Sequence, residues 1–301
     1  MRTLRLRSLL AAIAVLTLVA AACGDEPTTD PVDTGTATGS PSEEPDLLAR
    51  IKEDGVIPVS TDAKYKPQSF LNTQTGEWEG FDIDVAQEIA NRLGVEVQYE
   101  TPAWELIIAG TWNDRWDMSV GSMTATEERA EVLHFAVPGY YGTPASIAVH
   151  ADNTTVTDLE TDLDGKQIGV CGGCTYDLFL QGNLNIPGYD FVSPIDDPQI
   201  VTYDTDRTVL ENLALGDGTR LDAAMTALPT IQDAIEEGTP IKVVGDPLFA
   251  EPLAVAFDQS APLDPTSLVE EVSRIIQEMH DDGTLTSLSM KWFDEDLTQG
   301  L

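Results

Sequence analysis

The sequence predicts an α/β fold in which short strands and helices alternate around a mostly parallel sheet. Apolar residues in Phe81–Leu93 recur three or four positions apart, and the segment ends at Gly94, as expected for an amphipathic helix. Val95–Tyr99 then alternates like a strand. Repeated strand–helix alternation is typical of an α/β layer. The chain has 301 residues, which allow two modest domains or one large one, and its 42% hydrophobic residues are enough for a packed core.

The first 45 residues are predicted to lie outside this fold. Residues 1–22 have the pattern of a signal peptide, with three arginines, the apolar run Leu9–Val19 and small residues before Cys23. A cysteine at this point resembles a bacterial lipobox, so Cys23 is interpreted as the lipid-attachment residue. A plain secretory signal with a chance cysteine is the alternative. Residues 23–45 are rich in Thr, Pro, Asp, Gly and Ser, a composition typical of a disordered linker.

Charge and hydropathy limit the possible partners. The formal net charge is −36, which argues against nucleic acid and anionic membrane surfaces as partners. Whether the acidic surface reflects adaptation to salt stays open. No later apolar run approaches the roughly 20 residues of a membrane span, so contact with the membrane is expected through the lipid anchor only. The protein is therefore expected to be exported and anchored to the outer face of the cell membrane.

The remaining elements are predicted from local patterns. Gly55 ends the first helix, and loops or turns separate the later segments. The predicted order is helix Leu47–Ile51, strand Val56–Ser60, helix Phe81–Leu93, strand Val95–Tyr99, helix Trp104–Trp112, strand Trp116–Val120, strand Gln167–Val170, a helix from Thr175 and helix Ser267–Met279.

Arg129 lies in the most informative stretch. It follows a strand, and Thr124 and Thr126 offer N-cap hydroxyls to a short acidic helix around it. Backbone N–H groups at a helix start, together with a guanidinium, make a receptor for a carboxylate. The alternative is a solvated arginine on an ordinary acidic helix.

A series of ordered motifs resembles the type II periplasmic solute-binding proteins of polar amino-acid ABC importers (solute-binding family 3). The resemblance covers essentially residues 47–301. Its motifs are Thr61–Pro67, Gly80–Ala86, Ala90–Gly94, Trp104, Trp116–Asp117, Ser122–Arg129, Pro138–Tyr141, Gly165–Val170, Gly173–Tyr176, Arg220–Ala224, Asp281–Leu285 and Lys291–Phe293.

This resemblance implies two lobes joined by two crossing hinge segments, with a ligand held between them. The crossings are expected near residues 140–142 and 249–251. Lobe 1 is then residues 46–141 plus 252–301, and lobe 2 is residues 142–251. The implied function is capture of a polar amino acid, or a close carboxylate derivative, by a monomeric lipoprotein that delivers it to ABC permease subunits. No catalytic residue, cofactor or metal is implied.

The resemblance also implies a set of ligand-binding residues. Arg129 would pair with the ligand carboxylate, helped by Thr124 and by Thr175 at a helix start in lobe 2. The Gly121 carbonyl would accept from the ammonium group, and Ser122 lies beside it. Tyr65 and Trp104 would sandwich the side chain.

Three positions leave the identity of the ligand open. The family usually places an aspartate for the ammonium group where this chain has Ala227; Asp204, Asp206 and Thr226 are unranked substitutes. Gln68 stands where many relatives have phenylalanine, which implies a more polar wall. Asp62 is either a contact for a distal charge or a turn residue.

Cys171 and Cys174 form a C-x-x-C motif at the start of the helix from Thr175. In an exported chain a short-loop disulfide is the first interpretation, and a redox-active pair is the alternative. Zinc binding is disfavoured because the three histidines lack ligand spacing.

Two other functions remain as alternatives. One is an enzyme on the same fold, resembling cyclohexadienyl dehydratases and acting on a small carboxylic acid. The other is a sensory or redox lipoprotein.

Overall fold

The computed structural model describes residues 46–299. The predicted signal peptide, lipidated cysteine and linker lie outside the described residues. The helices are α1 Leu47–Asp54, α2 Phe81–Leu93, α3 Trp104–Ile108, α4 Glu127–Ala130, α5 Leu159–Asp162, α6 Thr175–Leu180, α7 Asp206–Leu213, α8 Leu228–Glu236, α9 Thr266–Asp281 and α10 Thr284–Phe293. The strands are β1 Val56–Ser60, β2 Lys64–Tyr65, β3 Ser69–Leu71, β4 Trp78–Glu79, β5 Glu96–Glu100, β6 Met118–Thr124, β7 Leu133–Phe135, β8 Tyr141–His150, β9 Gln167–Cys171, β10 Gln199–Tyr203, β11 Ala223–Ala227 and β12 Ile241–Asp258.

Local signals account for the helix ends that the sequence predicts. The Asp46 carboxylate caps α1 by accepting from Leu48 N at 2.8 Å, and Gly55 ends it at φ 71°. The α2 helix has the predicted bounds and ends at Gly94 with φ 79°. Glycine tolerates this left-handed conformation at little cost, so both helices stop at the glycine.

The predicted helix Trp104–Trp112 is wrong in its second half. The α3 helix ends at Ile108, since Gly110 and Thr111 take positive φ angles of 63° and 58°. The next strand is also later than predicted, because β6 spans Met118–Thr124 rather than Trp116–Val120.

The main sheet has parallel outer parts and an antiparallel centre. Its strand order is β10-β9-β11-β8-β12-β6-β1-β5, and β7 pairs with β12. The β1–β5, β1–β6, β9–β10 and β9–β11 pairs are parallel, whereas β8 and β12 are antiparallel to their neighbours. The expectation of a mostly parallel sheet is therefore wrong at the centre. The long strands β8 and β12 pair with each other at this centre and run in opposite directions.

The buried apolar side chains divide at the β8–β12 crossing. The largest cluster takes residues from 47–141 and 253–285, and it packs α1, α2, α9 and α10 on the strands of one half. A smaller cluster from 107–133 and Ala256 adjoins this half of the chain. The other two clusters take residues only from 145–249. Each half of the sheet therefore has its own apolar core, and the crossing strands connect the two.

Within residues 46–299, none of the helices combines the length and the apolar character that a membrane span requires.

Candidate functional site

One cavity collects all eight residues predicted to bind ligand. Asp62, Tyr65, Trp104, Gly121, Ser122, Thr124, Arg129 and Thr175 line it. The structure brings these residues together; their roles in binding stay predictions.

We call the lining residues that precede the crossing the first wall, and those of residues 142–251 the second wall. The first wall consists of Thr61, Asp62, Tyr65, Trp104, Ile107, Ser119, Gly121, Ser122, Thr124 and Arg129. The second wall consists of Cys171, Cys174, Thr175, Tyr176, Asp204, Thr205, Asp206 and Glu251.

Arg129 is buried in the first wall, with 5% of its surface exposed. Its Nη1 donates to the Thr124 carbonyl and its Nη2 to the Gly173 carbonyl, both at 3.0 Å, and the guanidinium lies 4.9 Å from the ring centre of Trp104. It makes no ion pair within the described part of the chain. Burial lowers the pKa of Arg129 to about 10, so the group is still cationic at neutral pH. A guanidinium has five N–H donors, which leaves donors for a ligand carboxylate.

The α4 helix positions Arg129. Its N-cap is Thr126, whose hydroxyl accepts from Arg129 N at 3.2 Å. Thr124, the other predicted cap, instead ends β6 and donates its hydroxyl to Glu251 Oε2 at 2.6 Å. This bond joins the first wall to the crossing strand β12.

Ser122 is held in a left-handed conformation, with φ 54°. Its N–H donates to Tyr140 Oη at 2.9 Å, and its hydroxyl donates to Asp82 Oδ2 at 2.8 Å and lies 2.7 Å from Tyr141 Oη. Asp82 also accepts from Tyr140 Oη. Burial raises the pKa of Asp82 to about 6, although the hydrogen bonds from Tyr140 and Ser122 oppose the rise. Non-glycine residues in this conformation cost roughly 1–3 kcal/mol, so the network stabilises the bend that turns the Gly121–Ser122 backbone into the cavity.

Asp62 makes the contact of a turn residue, because its Oδ1 accepts from Lys64 N at 2.7 Å. It also lines the cavity, and its contact with a distal ligand charge stays a prediction. Burial raises the pKa of Asp62, and the Lys64 N–H partly opposes this.

Cys171 and Cys174 form a disulfide at the edge of the second wall, with their Cα atoms 5.5 Å apart. The loop that it closes presents the Gly173 carbonyl to Arg129, while Gly173 N–H donates to Asp177 Oδ2 at 2.9 Å. The two sulfurs and an Asp206 oxygen lie within 4.8 Å of one another, a spacing compatible with a metal ion. Sulfurs joined in a disulfide are not thiolate ligands, so these groups do not fit a metal in this form.

Two buried acids in the second wall are not identified as site residues by the sequence alone. The sequence places Glu251 only in a crossing, and it leaves Asp206 as one of three unranked substitutes. Burial raises the pKa of Glu251, opposed by the hydroxyls of Thr124 and Thr175 and by Arg129. Burial raises the pKa of Asp206 to about 7; nearby Thr226 lowers it, whereas the charges of Asp62 and Glu251 raise it further.

The structure also locates the other positions whose role the sequence leaves open. Ala227 is fully buried in an apolar cluster and Asp204 is an exposed part of the second wall. Gln68 does not line the cavity, so the inference of a more polar wall is wrong: its Oε1 accepts from Thr230 Oγ1 at 3.1 Å in the interior.

Contacts between protein groups also connect the two halves of the chain outside the cavity. Glu127 N–H donates to the Asn185 carbonyl at 3.0 Å, and Lys66 Nζ lies 2.7 Å from Glu237 Oε1. Together with the Arg129–Gly173 bond, we call these the bridging contacts.

Two α/β halves with separate cores are crossed by two strands and enclose a cavity lined by charged and aromatic side chains. This arrangement defines a two-lobed small-molecule-binding protein. The family model of the bacterial extracellular solute-binding proteins, family 3, matches residues 57–295, and the chain belongs to this family. It is accordingly a solute-binding protein with the type II periplasmic-binding-protein fold, and not an enzyme.

Similar proteins agree with this assignment. The L-cystine-binding protein TcyJ of Escherichia coli (strain K12) is 30% identical over 254 residues, which cover 84% of this chain and 88% of TcyJ. A crystal structure of the P235GK mutant of ArgBP from T. maritima is similar with a TM-score of 0.69 and 27% identity, over 82% of this chain and 99% of that one. The ancestral amino-acid-binding protein AncCDT-1, described as a precursor of cyclohexadienyl dehydratase, has a TM-score of 0.68 and 28% identity, over 82% and 99%.

Proposed function

We propose that this protein captures a polar amino acid in the cavity between its walls and delivers it to the permease of an ABC importer. Relatives named as amino-acid-binding proteins support the ligand class. The observation that carries the proposal is Arg129, a buried cation on the cavity with unused donors and no ion pair among residues 46–299. A buried charge needs an opposite charge, and the ligand carboxylate supplies it.

The residues around Arg129 suit the rest of an amino acid. The hydroxyls of Thr124 and Thr175 and the bent Gly121–Ser122 backbone provide polar groups, while Tyr65 and Trp104 provide aromatic surface for a side chain. Ligand contacts to both walls favour the closed arrangement of the lobes. We place the lobes at residues 46–141 with 252–301 and at residues 142–251, because the apolar clusters divide there.

We further propose that the protein is a monomer anchored outside the cell membrane through a lipid on Cys23. The lipobox-like segment supports this proposal. Metabolic labelling with a fatty acid tests it, since a Cys23→Ser variant should lose the label and be released from the membrane fraction. Labelling that persists in this variant would rule out Cys23 as the attachment residue.

Thermal unfolding with a ligand panel tests the binding function. The panel contains L-arginine, L-lysine, L-histidine, L-glutamine and L-cystine, each with its carboxamide, which lacks the carboxylate. A ligand that binds only the folded state adds about 2.7 kcal/mol of stability at a hundredfold excess over Kd. At least one free amino acid should raise the midpoint and its carboxamide should not. Equal shifts from both would show that Arg129 does not bind a carboxylate, and no shift from any free amino acid would refute the proposed ligand class.

A further inference from the structure

We propose that Asp206 is the acceptor for the ligand's ammonium group, in place of an acid at Ala227. This inference rests on the proposed function, because it assumes an amino acid in the cavity. It assigns to the second wall the recognition of the ligand's positive charge.

The position of Asp206 suits this role. It is the first residue of α7, directly after the N-cap Thr205, and both residues line the cavity. Only 8% of Asp206 is exposed, and its Oδ1 has neither solvent contact nor a hydrogen-bond partner in the part of the chain that the structure describes. Thr226 Oγ1, near the carboxyl group, makes no hydrogen bond of ordinary geometry within that part either. A buried carboxylate oxygen without a donor is unfavourable unless a ligand provides one.

The surrounding charges make a cation the matching ligand group. The charges of Asp62 and Glu251 act on Asp206 with the same sign, and together with burial they raise its pKa. Two arginines of the adjoining elements are engaged elsewhere. Arg207 pairs with Glu211 and Glu237, and Arg129 donates to backbone carbonyls. An ammonium group beside Asp206 would supply the missing donor. It would also offset the repulsion of Asp206 by the charges of Asp62 and Glu251.

The other candidates fit less well. Ala227 lies inside an apolar cluster and offers no acceptor. Asp204 is exposed to water, where an ion pair is worth little. Glu251 already accepts from the Thr124 hydroxyl and lies in the field of Arg129. Among these candidates, Asp206 is therefore the acid that is buried and has an oxygen without a partner in residues 46–299.

A double-mutant cycle between ligand and protein tests the assignment. Titration calorimetry compares L-arginine with guanidinopentanoate, L-glutamine with glutaramate, and L-cystine with dithiodipropionate. The second member of each pair lacks only the α-ammonium group, and dithiodipropionate lacks both such groups of cystine. The proteins are the wild type, Asp206→Asn and the control Asp190→Asn, which neutralises an exposed acid of residues 142–251 that does not line the cavity.

For the pair that the wild type binds, Asp206→Asn should weaken binding of the amino acid by about 10- to 100-fold, the usual range for a charge-assisted hydrogen bond. It should change binding of the amino-free acid by less than about threefold, which also shows that the variant is folded. Asp190→Asn should change both by less than about threefold. Equal weakening of both ligands by Asp206→Asn, or no weakening of either, would overturn the assignment. Failure of the wild type to bind any amino acid would instead refute the proposed function.

Discussion

The two walls of the cavity differ in charge and in construction. The first wall holds the buried cation Arg129 and the Ser122 bend, both fixed by hydrogen bonds to neighbouring residues. The second wall holds the disulfide loop and two buried acids, Asp206 and Glu251, of which Asp206 has an oxygen without a partner among residues 46–299. If the proposals above hold, Arg129 of the first wall recognises the ligand's carboxylate and Asp206 of the second wall recognises its ammonium group. A zwitterion can bridge such walls, whereas a ligand with only one of the two charges leaves one wall unsatisfied.

The largest expected effect concerns the first wall. Arg129→Ala should weaken binding of the amino acid by at least about 100-fold, because two charge-assisted hydrogen bonds are lost. Arg129→Lys should retain part of the affinity, since it keeps the charge without the planar fork. Titration calorimetry measures both. Arg115→Ala is a matched control, because Arg115 lies 4.7 Å from the ring of Trp116 and does not line the cavity. The Arg115→Ala variant should bind the amino acid with the affinity of the wild type. Similar losses at positions 115 and 129 would show that Arg129 acts through stability alone.

The second prediction concerns Asp206 of the second wall. This acid should make the free energy of unfolding of the ligand-free protein depend on pH. The pKa of Asp206 is about 7 in the folded protein, whereas that of a free aspartate side chain is 3.8. Between these values the folded state binds more protons than the unfolded state, so the free energy of unfolding falls as the pH rises from about 4 to 7. Asp206→Asn removes this loss. It should be more stable than the wild type at pH 8 by on the order of 4 kcal/mol, and the advantage should vanish near pH 4.

Urea unfolding of the two proteins at several pH values measures this difference. Asp204→Asn serves as the control, and its stability should stay within about 0.5 kcal/mol of the wild type. A wild type that is at least as stable as Asp206→Asn at pH 8 would contradict the picture of an uncompensated acid.

The smallest expected effect concerns the disulfide. Reduction should weaken amino-acid binding by about three- to tenfold, because an open loop must lose more conformational entropy to present the Gly173 carbonyl to Arg129. Titrations with and without a phosphine reductant measure the change. The Cys171→Ser/Cys174→Ser variant should bind like the reduced protein and should not respond to reductant. Identical affinity in the oxidised and reduced wild type would mean that the loop is ordered without the bridge.

The same comparison shows which parts of the site are accessible from the sequence. The eight predicted residues lie in short contiguous motifs, mainly of the first wall, where a strand end and a helix start specify the local geometry. Glu251 lies within an 18-residue strand, and its partner Thr124 is 127 positions away. No local pattern connects such residues. The antiparallel centre of the sheet could not be predicted from the sequence for the same reason, since strand direction depends on pairing between distant segments. The early end of α3 depends on positive φ angles that the Trp112 spacing does not reveal.

The bridging contacts have a consequence for transport energetics. Arg129–Gly173, Glu127–Asn185 and Lys66–Glu237 join protein groups to each other, so they favour the closed lobes whether or not a ligand is bound. Every 1.4 kcal/mol that they contribute raises the resting closed population about tenfold relative to the open one. We expect this closed population to determine the rate at which the importer hydrolyses ATP without transporting a ligand. The rate should fall when Lys66→Ala removes the exposed Lys66–Glu237 contact. Unchanged basal hydrolysis in membranes carrying the importer would show that the closed form alone is not its signal.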